Sequence, residues 1–258
     1  MNPVSIGTAT LFFGDCMDYM AGCADKTFGL AIVDPTYGRS EDGGTNRNHG
    51  VKQKNGTVLR CVDGGYAGKK WDNEPPPPEY FAELFRVSER QIIWGANYMP
   101  VALRGGRIVW DKMNDGADQS GAEIAYCSLN ERVDIVRYMW RGMMQGEAIG
   151  SQFQQGNKAL NEKRIHPTQK PVKLYEWLLA SYAKPGWKIL DTHHGSGSHA
   201  IAANSLGFEL FACENDPDYF AESCLRIENA QRQECLFSHV DTCSRVEEQA
   251  DMFAQGAA

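Results

Sequence analysis

The order of apolar and polar residues along the chain predicts alternating strands and helices. Eight short runs are almost continuously apolar, which is typical of strands that are buried on both faces of a sheet. These runs are residues 8–15, 28–34, 90–97, 106–112, 122–128, 133–140, 187–193 and 208–214. Amphipathic, helix-like segments separate several of them, at residues 77–89, 171–183, 197–207 and 217–231. The pattern predicts an α/β fold with a doubly wound, mostly parallel sheet.

Two segments do not follow this alternation. Residues 38–75 are rich in glycine and polar side chains and have no periodicity, and a loop of this length in a compact domain is usually functional or disordered. Residues 238–258 show no core pattern. We therefore expect one domain over residues 1–237, with residues 38–75 as an inserted loop, followed by a poorly structured tail.

Composition narrows the class of protein. The net charge of −7 argues against a protein that coats nucleic acid through its overall charge, although a local basic patch stays compatible with it. The eight cysteines include no C-x-x-C pair, and no metal site is expected. The first residues lack the pattern of a secretion signal, and no apolar run is long enough to cross a membrane. A cytoplasmic protein is expected.

The stretch "GLAIVDPTYGR", residues 29–39, ends a buried strand in a rigid turn. It brings a carboxylate (Asp34), a backbone carbonyl of fixed direction (Pro35) and an aromatic ring (Tyr37) to one end of the sheet. Taken alone, the stretch is equally consistent with a structural turn that packs a tyrosine.

A second strand end carries a glycine turn. In "KILDTHHGSGSHA", residues 188–200, the strand ends at Asp191 and is followed by Gly195 and Gly197, and the next strand ends at Glu214. Such glycines let a ligand approach the backbone closely, and an acidic residue on the next strand suits two ribose hydroxyls. A P-loop is excluded because no Gly-Lys-Ser/Thr follows. A dinucleotide site stays open, but Asp191 favours a ligand with a positive charge over a pyrophosphate.

Together these segments resemble the amino-group DNA methyltransferases of the permuted β class, which act on adenine N6 or cytosine N4. "DPTY" at 34–37 is similar to their catalytic motif, "HPTQKP" at 166–171 to the segment before their cofactor strand, "DTHHGSG" at 191–197 to their cofactor turn, and "GDC" at 14–16 to their N-terminal cofactor segment. The motifs occur in the order of that class, and the chain looks most like members from phages or prophages. Thr36 and the Thr-His pair at 192–193 depart from the usual motifs.

The resemblance implies a methyltransferase of Rossmann-like fold that uses S-adenosylmethionine. Asp34 and the Pro35 carbonyl would accept hydrogen bonds from the target amino group, and Tyr37 would stack on a base flipped out of the duplex. The aspartate favours adenine, with cytosine as the alternative. The predicted cofactor-binding residues are Asp15, Thr168, Lys170, Asp191, His193, Gly195, Ser196, Gly197, Ser198 and Glu214.

The expected partner is double-stranded DNA, gripped by the inserted loop around the flipped base. The predicted DNA-binding residues are Arg39, Arg47, Lys52, Lys54, Lys69 and Lys70. The resemblance also suggests a homodimer and a role in restriction and modification. Methylation of RNA or of a protein glutamine, a nucleotide-dependent oxidoreductase and a non-catalytic DNA- or cofactor-binding module are the alternatives.

Overall fold

The computed structural model describes residues 3–40, 51–52, 58–59, 69, 71–114, 120–141, 144–146 and 161–233. Its strands are β1 (Val4–Ile6), β2 (Ala9–Phe13), β3 (Phe28–Val33), β4 (Val51–Lys52), β5 (Val58–Leu59), β6 (Ser88–Trp94), β7 (Gly106–Asp111), β8 (Ala122–Cys127), β9 (Val133–Arg137), β10 (Met139–Arg141), β11 (Met144–Gly146), β12 (Lys188–Asp191) and β13 (Glu209–Glu214). Its helices are α1 (Cys16–Ala21), α2 (Pro78–Val87), α3 (Val172–Tyr182), α4 (Ser198–Leu206) and α5 (residues 217–233).

Nine strands form one sheet in the order β1-β2-β13-β12-β3-β6-β8-β7-β9. The centre, from β2 to β6, is parallel, whereas β8 runs antiparallel to both of its neighbours. The mostly parallel α/β sheet expected from the apolar runs is confirmed. β4 and β5 pair with each other, as do β10 and β11.

The central strands are apolar on both faces because each face has its own core. On β3, Leu30 and Ile32 belong to the core that also contains Leu174 of α3, whereas Ala31 belongs to the core that contains Phe81 of α2. Helices α3 and α4 contact each other, and so do α1 and α2. The result is a three-layer arrangement that fixes the ends of the strands.

Local sequence sets where the helices begin and end. Asp15 caps α1 by accepting a hydrogen bond from the Met17 amide at 2.8 Å. Pro77 and Pro171 precede α2 and α3, and Gly207 ends α4 in the left-handed conformation that glycine adopts without a steric penalty.

The direction of the strands brings distant parts of the chain to one edge of the sheet. The carboxyl ends of β3, β12 and β13 meet there because these strands are parallel neighbours. Since β8 is antiparallel to β6 and β7, its amino end reaches the same edge as the carboxyl end of β7. The edge therefore collects polar residues from at least five strands.

The structure corrects one predicted strand. Residues 133–140 do not form a single strand: β9 ends at Arg137, and β10 starts at Met139 in a separate sheet. The chain leaves the large sheet because Trp140 is buried and its indole donates a hydrogen bond to the Gln169 carbonyl at 2.9 Å. Strand β1 and helix α1 are additional to the predicted elements.

Two predicted segments lie wholly or partly outside the described residues. The tail at 238–258 lies outside them, as does most of the loop at 38–75, of which β4 and β5 are described as a short antiparallel pair. Within the described parts of the chain, no helix is long and apolar enough to cross a membrane.

Candidate active site

A cavity of about 1090 Å³ opens at the edge where the strands converge. It is bordered at one end by Asp34, Pro35 and Tyr37 and at the other by Gly195 and Glu214. The two motifs that the sequence separates by more than 150 residues therefore share one space. We refer to these two sides as the base end and the donor end.

At the base end, a buried aspartate holds the turn after β3. Asp72, 2% exposed, accepts hydrogen bonds from the backbone amides of Tyr37 at 2.6 Å, Gly38 at 2.9 Å and Arg39 at 3.2 Å. Thr36 donates to the Glu74 carbonyl at 2.7 Å. The threonine that departs from the usual motif thus ties the turn to the end of the inserted loop.

Asp34 belongs to a cluster of charged side chains. Its Oδ2 lies 2.5 Å from Lys170 Nζ, and its Oδ1 accepts a hydrogen bond from the Tyr37 hydroxyl at 2.6 Å. Lys170 Nζ also lies 2.9 Å from Oε2 of Glu123, whose other oxygen lies 2.5 Å from Lys112 Nζ. We call these five residues the charge cluster; its two carboxylates and two ammonium groups balance.

Burial and charge act on these groups in opposite directions. Burial raises the pKa of Asp34, and Glu123 adds to that rise while Lys170 opposes it. Burial would also raise the pKa of Glu123, but Lys170 and Lys112 bring it down to about 2. Glu123 is therefore ionised near neutral pH. When the pH is lowered, Asp34 takes up a proton before Glu123 does.

The Tyr37 ring is already engaged in contacts. It stacks on Tyr98 with centroids 5.3 Å apart and an interplanar angle of 27°, and the Arg39 guanidinium lies 5.0 Å from the Tyr98 centroid. A Cβ atom on Gly95 would lie 2.2 Å from the Tyr37 ring, so only glycine allows this packing. A base that stacks on Tyr37 from the Tyr98 side has to displace Tyr98.

At the donor end, the turn between β12 and α4 depends on two glycines in the left-handed region. Gly195 has φ +53° and Gly197 has φ +78°. A Cβ atom on Gly197 would lie 3.1 Å from Ile227, whereas one on Gly195 would meet no atom closer than 3.8 Å. Gly197 is therefore needed for packing, and Gly195 leaves open space beside the backbone.

Each carboxylate oxygen of Asp191 has a partner within the protein. It is buried, its Oδ2 lies 3.0 Å from His199 Nδ1, and its Oδ1 accepts a hydrogen bond from the His193 amide at 3.1 Å. Burial raises the pKa of Asp191, but its histidine and backbone partners bring it below the usual value. The predicted contact with a ligand ammonium group would have to use the remaining lone pairs.

Glu214 is held by backbone amides. One of its oxygens accepts from Gly195 N and the other from Asp216 N, both at 2.8 Å. Burial raises the pKa of Glu214, and these amides oppose that rise. Each carboxylate oxygen retains a lone pair, so the group can still accept from two hydroxyls of a ligand.

Ser196 and Ser198 of the glycine turn bind Arg226, a residue outside the sequence motifs. Arg226 of α5 donates to the Ser196 carbonyl at 2.8 Å, to Ser198 Oγ at 2.9 Å and to Glu162 at 2.8 Å. Glu162 in turn accepts from the Val172 amide at 2.9 Å at the start of α3. Arg226 thus braces the glycine turn against the segment before α3.

The other predicted cofactor residues are distributed over the cavity. Asp15 and His193 border its donor end, and Thr168 is exposed with its hydroxyl 3.2 Å from His166 Nδ1. Lys170, which the resemblance places with the cofactor, has its ammonium group in the charge cluster at the base end.

Of the predicted DNA-binding residues, the structure describes the side chains of two. Arg39 is exposed beside Tyr98. Lys69 lies 2.7 Å from a carboxylate oxygen of Asp216 and 2.7 Å from one of Asp218, so its ammonium group is occupied by the loop after β13. Lys52 is described only as part of β4, and Arg47, Lys54 and Lys70 lie outside the described residues.

The donor end fits a nucleoside cofactor with hydroxyl groups. Glu214 lines the cavity with acceptor capacity left, Gly195 leaves room for a ligand against the backbone, and the cavity continues to Asp34. His194, 5% exposed, lines the same cavity, and neither ring nitrogen has a hydrogen-bond partner among the described residues. Burial lowers its pKa to about 4, so its ring is neutral near neutral pH. In the described parts of the chain, no three histidine, cysteine or acidic residues are grouped as metal ligands.

Sequence reasoning did not identify Glu123, Lys112 or Tyr98. Glu123 is a charged residue in an otherwise apolar strand, and Lys112 directly follows another strand, which are the signals that could have identified them. The register of β7 and β8, which pairs Trp110 with Glu123, is needed to bring these two residues together.

The chain is similar to known proteins over most of its length. A sequence model of the N6/N4 DNA methylase family matches residues 7–224. The type II methyltransferase M2.MboI of Moraxella bovis is 22% identical over 256 residues, covering 81% of this chain and 84% of its own. M.HinfI of Haemophilus influenzae is 22% identical over 259 residues, covering 84% of this chain and 68% of its own.

Two solved structures are also similar. That of M1.HpyAVI in complex with SAM has a TM-score of 0.49 and 16% identity, covering 84% of this chain and 99% of its own. The structure of PvuII DNA methyltransferase, described as specific for cytosine N4, has a TM-score of 0.48 and 12% identity. It covers 90% of this chain and 94% of its own. The family model covers residues 7–224, which include both the motif at 34–37 and the glycine turn at 191–197. The chain therefore belongs to the N6/N4 DNA methylase family.

Proposed function

We propose that the protein is a site-specific DNA methyltransferase that transfers a methyl group from S-adenosylmethionine to the N6 amino group of adenine. The observation that carries this proposal is that Asp34 and Pro35, at the end of β3, face the same cavity as the glycine turn and Glu214. Family membership supports the methyl transfer and the cofactor. The choice of adenine rests on the aspartate at position 34.

At the base end, the chain acts as a pair of hydrogen-bond acceptors. The exocyclic nitrogen of adenine is a weak nucleophile because its lone pair is conjugated with the ring. The Asp34 carboxylate and the Pro35 carbonyl would accept from its two hydrogens and draw the nitrogen towards tetrahedral geometry. Proline fixes the direction of its own carbonyl, so this acceptor needs little reorganisation. Asp34 must be ionised to act in this way.

At the donor end, Glu214 would accept from the ribose hydroxyls and the backbone near Gly195 would lie against the cofactor. When bound, S-adenosylmethionine supplies an electrophilic methyl group on a sulfonium. The residues of the chain hold and orient it; the transfer needs no cysteine nucleophile and no covalent link to the protein. A neutral His194 ring adds one donor and one acceptor beside this site.

The DNA would enter from the side of the inserted loop. The target base has to leave the duplex to reach Asp34, at a cost of about a few kcal/mol that stacking on Tyr37 or Tyr98 offsets in part. Arg39, exposed beside Tyr98, would meet a phosphate near the flipped base. Membership of a DNA methylase family argues against the alternative of a nucleotide-dependent oxidoreductase.

Three further points belong to the proposal. They are a homodimer and a role in restriction and modification, which the resemblance suggests, and a cytoplasmic location. Light scattering of the purified protein tests the first of these.

The direct test supplies methyl-labelled S-adenosylmethionine with unmethylated duplex DNA, RNA or bulk protein as the acceptor. We expect label on duplex DNA, and on N6-methyladenine after digestion to nucleosides. Label on N4-methylcytosine would support the alternative base. Label on RNA or protein alone, or none on any acceptor, would contradict the proposal. Asp34→Ala is the matched inactive control.

A further inference from the structure

The charge cluster raises a problem for the reaction proposed above. Both oxygens of Asp34 already accept close contacts, one from the Tyr37 hydroxyl at 2.6 Å and one from Lys170 at 2.5 Å. Each oxygen retains one lone pair, but the two donors already draw on the carboxylate charge, so Asp34 becomes a stronger acceptor for a target amino group when one of these partners moves to another acceptor. Because the cluster is largely buried, a partner left without an acceptor would cost free energy.

Glu123 is placed to receive both partners. Its Oε2 lies 2.9 Å from Lys170 Nζ and accepts from the Tyr37 hydroxyl at 3.3 Å. The hydroxyl carries one proton, which it can donate to Asp34 or to Glu123. Lys170 has three N–H groups, and their three nearest acceptors are Asp34, Glu123 and the Tyr37 oxygen at 3.1 Å. The same oxygen of Glu123 is thus the second acceptor for both groups that hold Asp34.

The position of Glu123 is fixed by a separate contact. Its Oε1 lies 2.5 Å from Lys112 Nζ, and Lys112 follows the end of β7, the strand paired with β8. The second carboxylate therefore does not depend on Asp34 for its location. Its low pKa, about 2, means that it can accept throughout the neutral range.

We propose that Glu123 is a positioning residue for methyl transfer: it takes over the Tyr37 hydroxyl and Lys170 when Asp34 turns to the amino group of the target base. This inference rests on the proposed function. It adds a second acidic residue, Glu123, which lies outside every motif of the sequence. Its role is to accept the donors that otherwise bind Asp34. Lys112 serves the same step by anchoring Glu123.

The test compares single-turnover rate constants for methyl transfer to unmethylated duplex DNA at saturating S-adenosylmethionine. Glu123→Gln should slow transfer by about 10- to 100-fold, the factor that corresponds to weakened charged hydrogen bonds. Its affinity for S-adenosylmethionine, measured by calorimetry, should stay unchanged. Asp134→Asn is the matched control: Asp134 is as exposed as Glu123, at 20%, and contacts Tyr182 and Arg132, but does not border the cavity.

A double variant separates positioning from a structural role. In Glu123→Gln the Tyr37 hydroxyl should stay on Asp34, so removing it in Glu123→Gln/Tyr37→Phe should restore part of the lost rate. A structural role predicts instead that the two losses multiply. Multiplied losses, or a wild-type rate in folded Glu123→Gln, would overturn the inference.

Two further measurements cover a variant that does not fold and a wild-type protein that labels no DNA. If Glu123→Gln does not fold, Lys112→Met replaces it; a slower rate is expected, and a wild-type rate would overturn the inference. If the wild-type protein labels no DNA, the proposed function fails and this inference with it. A normal wild-type rate together with normal Glu123 and Lys112 variants defeats the inference alone.

Discussion

The two ends of the cavity hold their acidic residues in different ways. At the base end, Asp34 is held by the side chains of Lys170 and Tyr37, which have Glu123 as an alternative acceptor. At the donor end, Glu214 is held by two backbone amides. Side-chain partners can change during a reaction at little cost in backbone structure, whereas backbone partners keep a group in place.

The difference matches the tasks proposed for the two ends. A cofactor site gains from a rigid turn that is complete before the ligand arrives, because less ordering is needed on binding. An acceptor that must engage a flipped base becomes stronger when its other donors can move to a second acceptor. The comparison therefore predicts that changes at the base end act on the rate of transfer, and changes at the donor end on cofactor affinity.

The largest expected effect comes from removing the base-end acceptor. Asp34→Ala should lower the single-turnover rate constant by at least about 100-fold, since a positioned acceptor at the reacting group is lost. Calorimetric titration should show S-adenosylmethionine binding close to that of the wild type. Turnover near the wild-type rate would remove Asp34 from the reaction.

The donor turn should respond to substitution of a glycine that the fold requires. Gly197→Val forces a β-branched residue to φ +78° with its Cβ 3.1 Å from Ile227, at a cost of about 1–3 kcal/mol. S-adenosylmethionine affinity should fall while any remaining bound protein transfers at a normal rate.

The control for this variant is Gly186→Val. Gly186 has φ +80°, and a Cβ atom there would meet nothing within 4 Å; it lies in the turn before β12, away from the cavity. Backbone strain should lower its thermal stability in a similar way but leave cofactor affinity unchanged. Equal affinities for the two variants would show that the turn does not bind the cofactor.

Much of this architecture can be predicted because it depends on local pattern. The apolar runs mark the parallel strands, and Asp34, Asp191 and Glu214 each stand where a run ends. The charge cluster cannot be predicted in this way. Glu123, with Lys112 bound to it, reaches the Lys170 partner of Asp34 only because β8 inserts antiparallel between β6 and β7, and pairing of that kind leaves no mark in either strand's own sequence.

The split of residues 133–140 has a similar cause. The run is mostly apolar, with Asp134 and Arg137 as its charged residues, but Trp140 is drawn out of the sheet by its contact with Gln169, about 30 residues away in the sequence. The partners of Asp191 likewise depend on α4, which brings His199 under the strand end. Long-range packing decides such contacts.

The donor end should also be sensitive to acid. His194 keeps its ring neutral in the folded protein down to about pH 4, whereas in the unfolded chain it takes up a proton below about pH 6.5. Its contribution to stability is therefore complete above about pH 6.5 and is lost as the pH falls towards 4. Urea unfolding of the wild type and of His194→Gln between pH 7 and pH 4 checks this.

The wild type should be the more acid-sensitive of the two proteins. The free energy of unfolding of the wild type should drop more steeply than that of His194→Gln, by up to about 1.4 kcal/mol per pH unit. Parallel curves for the two proteins would mean that His194 titrates normally in the fold.

The smallest effect is expected on the salt dependence of DNA binding. If the inserted loop grips phosphates, the logarithm of affinity falls with that of salt concentration with a slope of about 0.9 per phosphate neutralised. Replacing Lys52, Lys54, Lys69 and Lys70 by alanine should flatten this slope. Lys69→Ala alone should change it least, because Asp216 and Asp218 already bind the Lys69 ammonium group. An unchanged slope in the quadruple variant would move the DNA contact elsewhere, to the segment from Lys112 to Arg164 above all.

One measurement tests the separation of the two ends most directly. Asp34→Asn and Glu214→Gln make the same chemical change, a carboxylate to an amide, at the base end and at the donor end. Cofactor affinity and single-turnover rate at saturating cofactor are determined for both, beside the wild type. We expect Asp34→Asn to lose rate and keep affinity, and Glu214→Gln to lose about 1.5–3 kcal/mol of binding free energy and keep rate. Loss of cofactor affinity in Asp34→Asn as large as that in Glu214→Gln, with its rate preserved, would contradict the account.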